Sequence, residues 1–217
     1  MVKHSVILLD IDFRRLRNVK NNIQKRIPNL EIQTAFDYKK QNPLSFCEAN
    51  KISICEEYLE NRAKLGGLAN LISHIKIWKR MLDEDISEMV IMEDDAQINS
   101  GHFVFLDNVR KELPTDYSIC LLYVSKNRQL KKDKQKVKIH KKNFIEKGYK
   151  NYGMVAYLIS LAGAESMLKD FKKISYLIDV QINHLLKTSN NKIFCAKNPF
   201  VSVNMLPTNV LNTERIK

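Results

Sequence analysis

Three consecutive acids, Glu93-Asp94-Asp95, follow directly on the apolar run Met89-Val90-Ile91-Met92. Carboxylates packed this closely repel one another and are costly to desolvate unless a cation pairs with them. A short, wholly apolar run reads as a buried central strand, and open α/β sheets bind ligands at the carboxyl ends of their strands. Glu93 and Asp95 stand two apart, a D-x-D-like spacing in which one carboxylate can meet a hydroxyl while another holds a hard divalent ion. Mg²⁺ or Mn²⁺ suits such oxygen ligands and binds through one or two carboxylates completed by substrate phosphates. The competing reading is a solvated acidic turn that caps the segment near Gly101. The buried strand immediately before the acids favours a site.

The rest of the chain supplies elements to position that cluster. His4 to Asp10 is a β-rich apolar run ending in an acid, and Phe13 to Ile27 carries Phe13, Leu16, Val19, Ile23 and Ile27 at helical spacing. Pro28-Asn29 stops that helix, and Leu30 to Phe36 alternates as a half-exposed strand does. Gly66-Gly67 opens a helix whose apolar stripe includes Leu68, Leu71, Ile75 and Trp78. His74 and Trp78, four apart, share one face of it. Such a histidine is either a hydrogen-bonded core residue or a site residue, and Ser73 goes with it. Strands are expected over Ser118 to Val124 and Val155 to Ser160, and helices over Ala162 to Phe171 and Asp179 to Leu186. The alternation predicts an α/β fold with a mostly parallel central sheet flanked by helices. Asp179, between Ile178 and Val180, is well placed as a helix N-cap. Arg15 reads as a phosphate partner or as an ordinary surface residue.

With 217 residues and 44% hydrophobic content, one compact domain spanning residues 1–217 is the expectation. The apolar run at the start, Val6 to Leu9, is too short for a membrane span or a signal-peptide core, so a soluble, cytoplasmic protein is expected. The four cysteines show no C-x-x-C pair and no zinc-site spacing, which predicts reduced, mostly buried thiols. Net charge is +12, and residues 126–150 hold eleven Lys/Arg against two acids, a local net of +9. This segment reads as a basic loop insertion, either solvated or attached electrostatically to an anionic membrane face. A nucleic-acid partner is not expected: no recognisable binding module is present, and only Phe144 and Tyr149 interleave with the basic run.

Several ordered stretches carry a resemblance. Leu65-Gly66, then Ser73-His74-x-x-x-Trp78, then Val90-Ile91-Met92-Glu93-Asp94-Asp95 resembles glycosyltransferase family 25. That family includes lipooligosaccharide galactosyltransferases and collagen hydroxylysine galactosyltransferases. Val6 to Asp10 with Arg15, Ala156-Tyr157-Leu158-Ile159-Ser160-x-x-Gly163-Ala164, and Leu177-Ile178-Asp179 extend the match over nearly the whole chain. Gly67 stands where many members have Glu, and Ala69-Asn70 replaces a common Gly-Cys, which bears on the surroundings of the donor sugar.

The resemblance implies a single-domain GT-A-type fold and an inverting transfer of a hexose, galactose from UDP-galactose, onto a glycan or glycolipid acceptor such as lipooligosaccharide. Asp95 and then Asp94 are the implied ligands of Mn²⁺ or Mg²⁺. Glu93, Ser73, Leu9, Asp10 and Arg15 are implied around the donor nucleotide and sugar. Asp179 is the implied base that takes the acceptor hydroxyl's proton, and His74 is implied at the donor. A protein hydroxylysine acceptor, or a catalytically dead transferase fold that acts as a scaffold, are the alternatives.

Overall fold

The computed structural model describes residues 2–9, 12–56, 58, 65–123, 145–147, 153–197 and 200–204. In chain order the described elements begin with β1 (Lys3–Leu8), α1 (Phe13–Asn18) continuing as a π-helical stretch (Val19–Gln24), β2 (Leu30–Thr34), α2 (Pro43–Ala49) and β3 (Ser53–Ile54). Then come α3 (Leu65–Asp83), β4 (Glu88–Glu93), β5 (Ala96–Ile98), α4 (His102–Glu112), β6 (Ile119–Leu121) and β7 (Ile145–Lys147). The last are β8 (Ala156–Ser160), α5 (Leu161–Asp170), β9 (Lys173–Ile174), α6 (Ile178–Thr188), β10 (Ile193–Ala196) and β11 (Val201–Val203).

Seven strands form one sheet in the order β2-β1-β4-β8-β6-β10-β7. β2, β1 and β4 run parallel, β8 runs against β4 and β6, β10 runs with β6, and β7 runs against β10. Five of the seven strands therefore share one direction, as a mostly parallel sheet requires. The reversal of β8 in mid-sheet was not legible, because an apolar run reads the same in either direction.

Alternation explains why the central runs are apolar throughout. Along β1, Ile7 enters one hydrophobic cluster while Val6 and Leu8 enter the other. In β4, Met89 and Ile91 face the first cluster and Val90 and Met92 the second. Both faces of the sheet are covered, so the central strand positions are apolar apart from His4 and Ser5 of β1. α3, α5 and α6 supply Leu71, Trp78, Met167 and Ile182 to the first cluster; α1, its π-helical continuation and α4 cover the second with Val19, Ile23, Leu106 and Val109.

Local chemistry sets the helix ends nearest the site. Asp12 caps α1, its carboxylate accepting from the Arg14 and Arg15 backbone N–H groups at 3.0 and 3.2 Å. The helix expected over Phe13 to Ile27 changes pitch at Val19, and Phe13, expected on its apolar stripe, is 80% exposed. The wider π turn keeps Val19 and Ile23 in the core, and Asn18 at the changeover is buried too. α6 begins earlier than expected: Leu177 occupies the N-cap position without a side-chain cap, and Asp179 lies inside the first turn. The N-cap reading of Asp179 is thereby corrected.

Of the basic stretch 126–150, residues 145–147 form strand β7 at the sheet edge, and the remainder lies outside the described residues. All four cysteines are free, with Cys47, Cys120 and Cys195 buried. Among the described residues no helix is long and apolar enough to cross a membrane.

Candidate active site

The carboxyl ends of β2, β1 and β4 lie side by side, with Leu8 paired to Thr34 and Ile7 to Glu93. A cleft of about 730 Å³, partly open to solvent, sits over these ends. β1 and α1 contribute Ile7, Leu9 and Arg15, the segment after β2 contributes Phe36, Asp37 and Tyr38, and α3 contributes Gly66, Asn70 and Ser73. The floor is Glu93, Asp94 and Asp95. The concave shape and mixed polar and apolar lining are those of a small-molecule site.

Glu93 closes β4, its backbone N–H donating to the Val155 carbonyl at 2.9 Å. Its Oε1 accepts from Asn70 Nδ2 at 3.0 Å and faces His74 Nε2 at 3.7 Å. Asp94 is buried and paired with the Arg15 guanidinium, and its carbonyl accepts from Asn18 Nδ2 at 2.8 Å. Arg15 also stands 3.8 Å from Asp95 Oδ2. The other oxygen of Asp95, Oδ1, is buried without a hydrogen-bond partner, while the Asp95 carbonyl accepts from Asn204 N at 2.8 Å. The acidic turn is thus held at its backbone by Asn18 and Asn204 and is not the solvated cap near Gly101: α4 has no side-chain cap at all.

One guanidinium facing three carboxylates leaves the site short of positive charge. Burial, with the charge of Glu93 beside it, pushes Asp95 up to about 7. Burial likewise raises Asp94 to about 6, although Arg15 pulls it down. Glu93 goes the other way: burial works to raise it, but the hydrogen bonds and charge supplied by His74, Asn70 and Arg15 hold it below the usual carboxylate range. Tyr123 is raised by burial and then by the Asp95 and Glu93 charges, which places it in the field of the same acids.

Behind Glu93 runs a buried relay. Trp78 Nε1 donates to the Tyr157 hydroxyl at 3.0 Å, and that hydroxyl meets His74 Nδ1 at 2.8 Å. Indole is a donor only, so the arrangement that wastes no buried proton has Tyr157 donating to Nδ1. Nε2 then carries a proton and presents it to Glu93. His74 is fully buried and reaches the cleft through Glu93. Ser73 is also committed internally: its Oγ accepts from Phe36 N and donates to the Ala69 carbonyl, both at 2.8 Å, pinning the segment after β2 to α3.

The cleft therefore brings together Leu9, Arg15, Ser73, Glu93, Asp94 and Asp95 from among the expected residues. Arg15 is buried, not a surface residue. Asp10 lies outside the described residues. Asp179 does not line the cleft; its Oδ2 accepts from Gly153 N at 3.0 Å, two residues before Glu93's partner Val155 and ahead of β8. Asn70, Asn18, Asn204, Asp37 and Tyr38 were not singled out from sequence as site residues. Asn70 had a usable signal, since it precedes His74 by one helical turn on the same face. Asp37 repeats the pattern of an acid just past a strand.

Among the described residues no group of three or more His, Cys, Asp or Glu side chains is arranged to hold a metal ion. Two carboxylates, one with an unpartnered buried oxygen, still fit a hard divalent ion whose remaining ligands come from a bound diphosphate.

Residues 1–182 match the family described as glycosyltransferase family 25 (LPS biosynthesis protein). Procollagen galactosyltransferase 2 of Homo sapiens is 26% identical over 107 residues, 48% of this chain and 16% of that protein. Procollagen galactosyltransferase 1 of Danio rerio is 28% identical over 165 residues, 72% of this chain and 26% of that protein. The chain thus spans only 16% to 26% of the length of these curated relatives. Among solved structures, galactosyltransferase LgtC in complex with donor and acceptor sugar analogs aligns over 90% of this chain and 73% of that one, at 10% identity and a TM-score of 0.46. The family match covers the strand, the acids, the α3 face and the start of α6 alike, and the chain belongs to glycosyltransferase family 25.

Proposed function

We propose that this protein is an inverting hexosyltransferase, a single GT-A-type domain over residues 1–217 that moves galactose from UDP-galactose onto a glycan hydroxyl such as one of lipooligosaccharide. The observation that carries the reading is the buried, unpartnered Asp95 oxygen beside the Arg15–Asp94 pair, at the floor of a cleft in a chain of this family.

In this reading Asp95, with Asp94, would hold Mn²⁺ or Mg²⁺, which when bound stabilises the leaving diphosphate as a Lewis acid. Arg15 adds a fixed positive charge at the same place, pre-oriented by its carboxylate partners so that little reorganisation is needed during transfer. Glu93 accepts from a hydroxyl of the donor, held by Asn70 and His74. Ser73 fixes the wall formed by Phe36 to Tyr38, and Leu9 with Asp10 completes the nucleotide side. Asp179 takes the acceptor hydroxyl's proton as that oxygen attacks the anomeric carbon in a single displacement. Its bond from Gly153 orients the carboxylate and leaves lone pairs for the incoming hydroxyl. A cytoplasmic location with peripheral contact to an anionic membrane belongs to the same reading, the membrane contact resting on the charge of residues 126–150.

The names of the curated relatives favour one second reading, in which the acceptor is a protein hydroxylysine of the procollagen kind. Melting curves of the purified protein with a panel of nucleotide sugars, with and without Mn²⁺, test the donor, because a ligand that binds the folded state raises the midpoint by mass action. Transfer assays with a lipooligosaccharide core and with a hydroxylysine peptide then separate the acceptors. A protein that no nucleotide sugar stabilises, with or without the ion, sinks the transferase reading; stabilisation without turnover on any acceptor leaves a catalytically dead fold.

A further inference from the structure

We propose that Asn70 is a specificity-determining positioning residue, which together with Glu93 presents two adjacent hydrogen-bond acceptors to a pair of neighbouring hydroxyls on the donor. The inference rests on the reading of the cleft as a nucleotide-sugar site and names the groups it reads there.

Asn70 and His74 lie one turn apart on α3, and both address the same oxygen, Glu93 Oε1, at 3.0 and 3.7 Å. Glu93 is anchored at its backbone by Val155. Its three side-chain torsions would otherwise leave the carboxylate free to sweep the cleft; the Asn70 hydrogen bond on Oε1, with His74 Nε2 close behind the same oxygen, restricts that freedom. Among the described residues Glu93 Oε2 receives no hydrogen bond, and it faces the cleft that Glu93 and Asn70 both line.

The amide of Asn70 has only one orientation compatible with this contact. An ionised carboxylate accepts and cannot donate, so Nδ2 must point at Glu93 and Oδ1 away from it. Oδ1 also makes no hydrogen bond among the described residues. Oδ1 and Oε2 are therefore two acceptors, one neutral and one charged, joined by an internal hydrogen bond. A vicinal diol presents the matching pair of O–H donors, and both the ribose and the hexose of a nucleotide sugar carry one. A site built to hydrogen-bond hydroxyls rejects the analogue that lacks one, because its polar groups are left unpaired.

The test is a set of binding titrations with UDP, 2′-deoxy-UDP and UDP-galactose on wild type, Asn70→Ala, Glu93→Ala and the double variant, together with steady-state kinetics. Asn70→Ala is expected to weaken at least one of these ligands about tenfold, as losing a hydrogen bond to a charged group does. It should raise the donor KM by a similar factor, with kcat and melting temperature near wild type. If the diol is that of ribose, UDP is weakened and the wild-type preference for UDP over 2′-deoxy-UDP disappears. If it is that of the hexose, UDP-galactose alone is weakened. In the Glu93→Ala background, Asn70→Ala should have less effect than in wild type, since the two act as a unit. Wild-type binding of all ligands by Asn70→Ala, or full additivity in the double variant, overturns the proposal while leaving the donor site intact. Failure of the wild type to bind UDP or UDP-galactose overturns the donor reading and this proposal with it.

Discussion

The guanidinium of Arg15 closes on the carboxylate of Asp94 and stands 3.8 Å from Asp95, so a single buried cation serves one buried and one partly buried acid. Burial works to lower the basicity of Arg15, yet Asp94 and Asp95 hold it protonated more firmly than usual. Removing one partner of such a pair strands the other without compensation, at a cost of about 3–5 kcal/mol. Arg15→Leu is therefore expected to lower unfolding stability by that order in urea titrations and to weaken donor binding at least tenfold. Arg15→Lys should fall between, since a point charge replaces a planar fork. Stability within about 0.5 kcal/mol of wild type for Arg15→Leu would show that the pair is not structural.

Asp95 and Asp94 carry a pH signature with a definite sign. Their folded values, about 7 and about 6, lie above the ordinary 3.8. Between about pH 4 and 7 the unfolded chain releases protons that the folded protein retains, so these groups cost stability as pH rises through that window and nothing further above it. Asp95→Asn, uncharged at every pH, is expected to flatten the fall in melting temperature between pH 5 and 7.5. In the proposed reading a divalent ion would bind the deprotonated acids, so the rise in melting temperature with Mn²⁺ should be larger at pH 7.5 than at pH 5.5 and absent in Asp95→Asn. Activity should vanish in excess chelator. An Mn²⁺ effect that survives Asp95→Asn would place the ion elsewhere.

Asp179 lies one residue inside α6 and accepts two backbone hydrogen bonds, from Gly153 N at Oδ2 and from Val180 N at Oδ1. Asparagine keeps one acceptor oxygen for the Gly153 bond and gives up the local one to Val180, so Asp179→Asn should cost about 1 kcal/mol. A lost general base costs about 10²–10⁴-fold in rate. The paired measurement is melting temperature and kcat at saturating donor and metal. A near-normal melting point with kcat down a hundredfold or more supports the base; a near-normal kcat leaves Asp179 as an anchor for the segment before β8.

Gly163 is fixed by contact with another backbone. A Cβ there would sit 2.1 Å from the Ser118 carbonyl oxygen, which cannot rotate away. Gly163→Ala should lower stability by about 1–3 kcal/mol or more through forced separation of α5 from β6. Gly67→Ala offers the contrast: the one close approach of its Cβ is to the tip of the Leu177 side chain, which is 41% exposed, with the Tyr58 hydroxyl at an ordinary contact distance of 3.6 Å. Equal melting temperatures for the two variants would contradict this difference.

How far these features could be read from sequence follows from the range of the interactions. Met89 to Met92 and the acids after it were legible because strand burial and charge are local properties of adjacent residues. The pairing of Asn70 and His74 on one face of α3 was legible in principle for the same reason. Asn18 was not: its amide reaches a carbonyl 76 positions away, and nothing in its neighbourhood marks it. Asn204 lies 186 positions from its partner Asn18. The direction of β8 depends on the chain's path between β6 and β8, which an apolar pattern does not encode. Asp179 was misplaced by its own suitability as a cap, because α6 starts on Leu177, a residue with no capping group.

The walls and floor of the cleft are drawn from Ile7 to Asp95, whereas Asp179 arrives from the later part of the chain. Several of the ties by which that later part holds the acids run through main-chain atoms: the Val155 carbonyl to Glu93 and the Asn204 amide to Asp95. Main-chain groups are the same whatever side chain accompanies them. Side chains beyond the cleft can therefore change without redrawing the main-chain contacts that hold Glu93 and Asp95 in place. In such a chain the placement of the acids is insulated from the side-chain identity of the segments that support them.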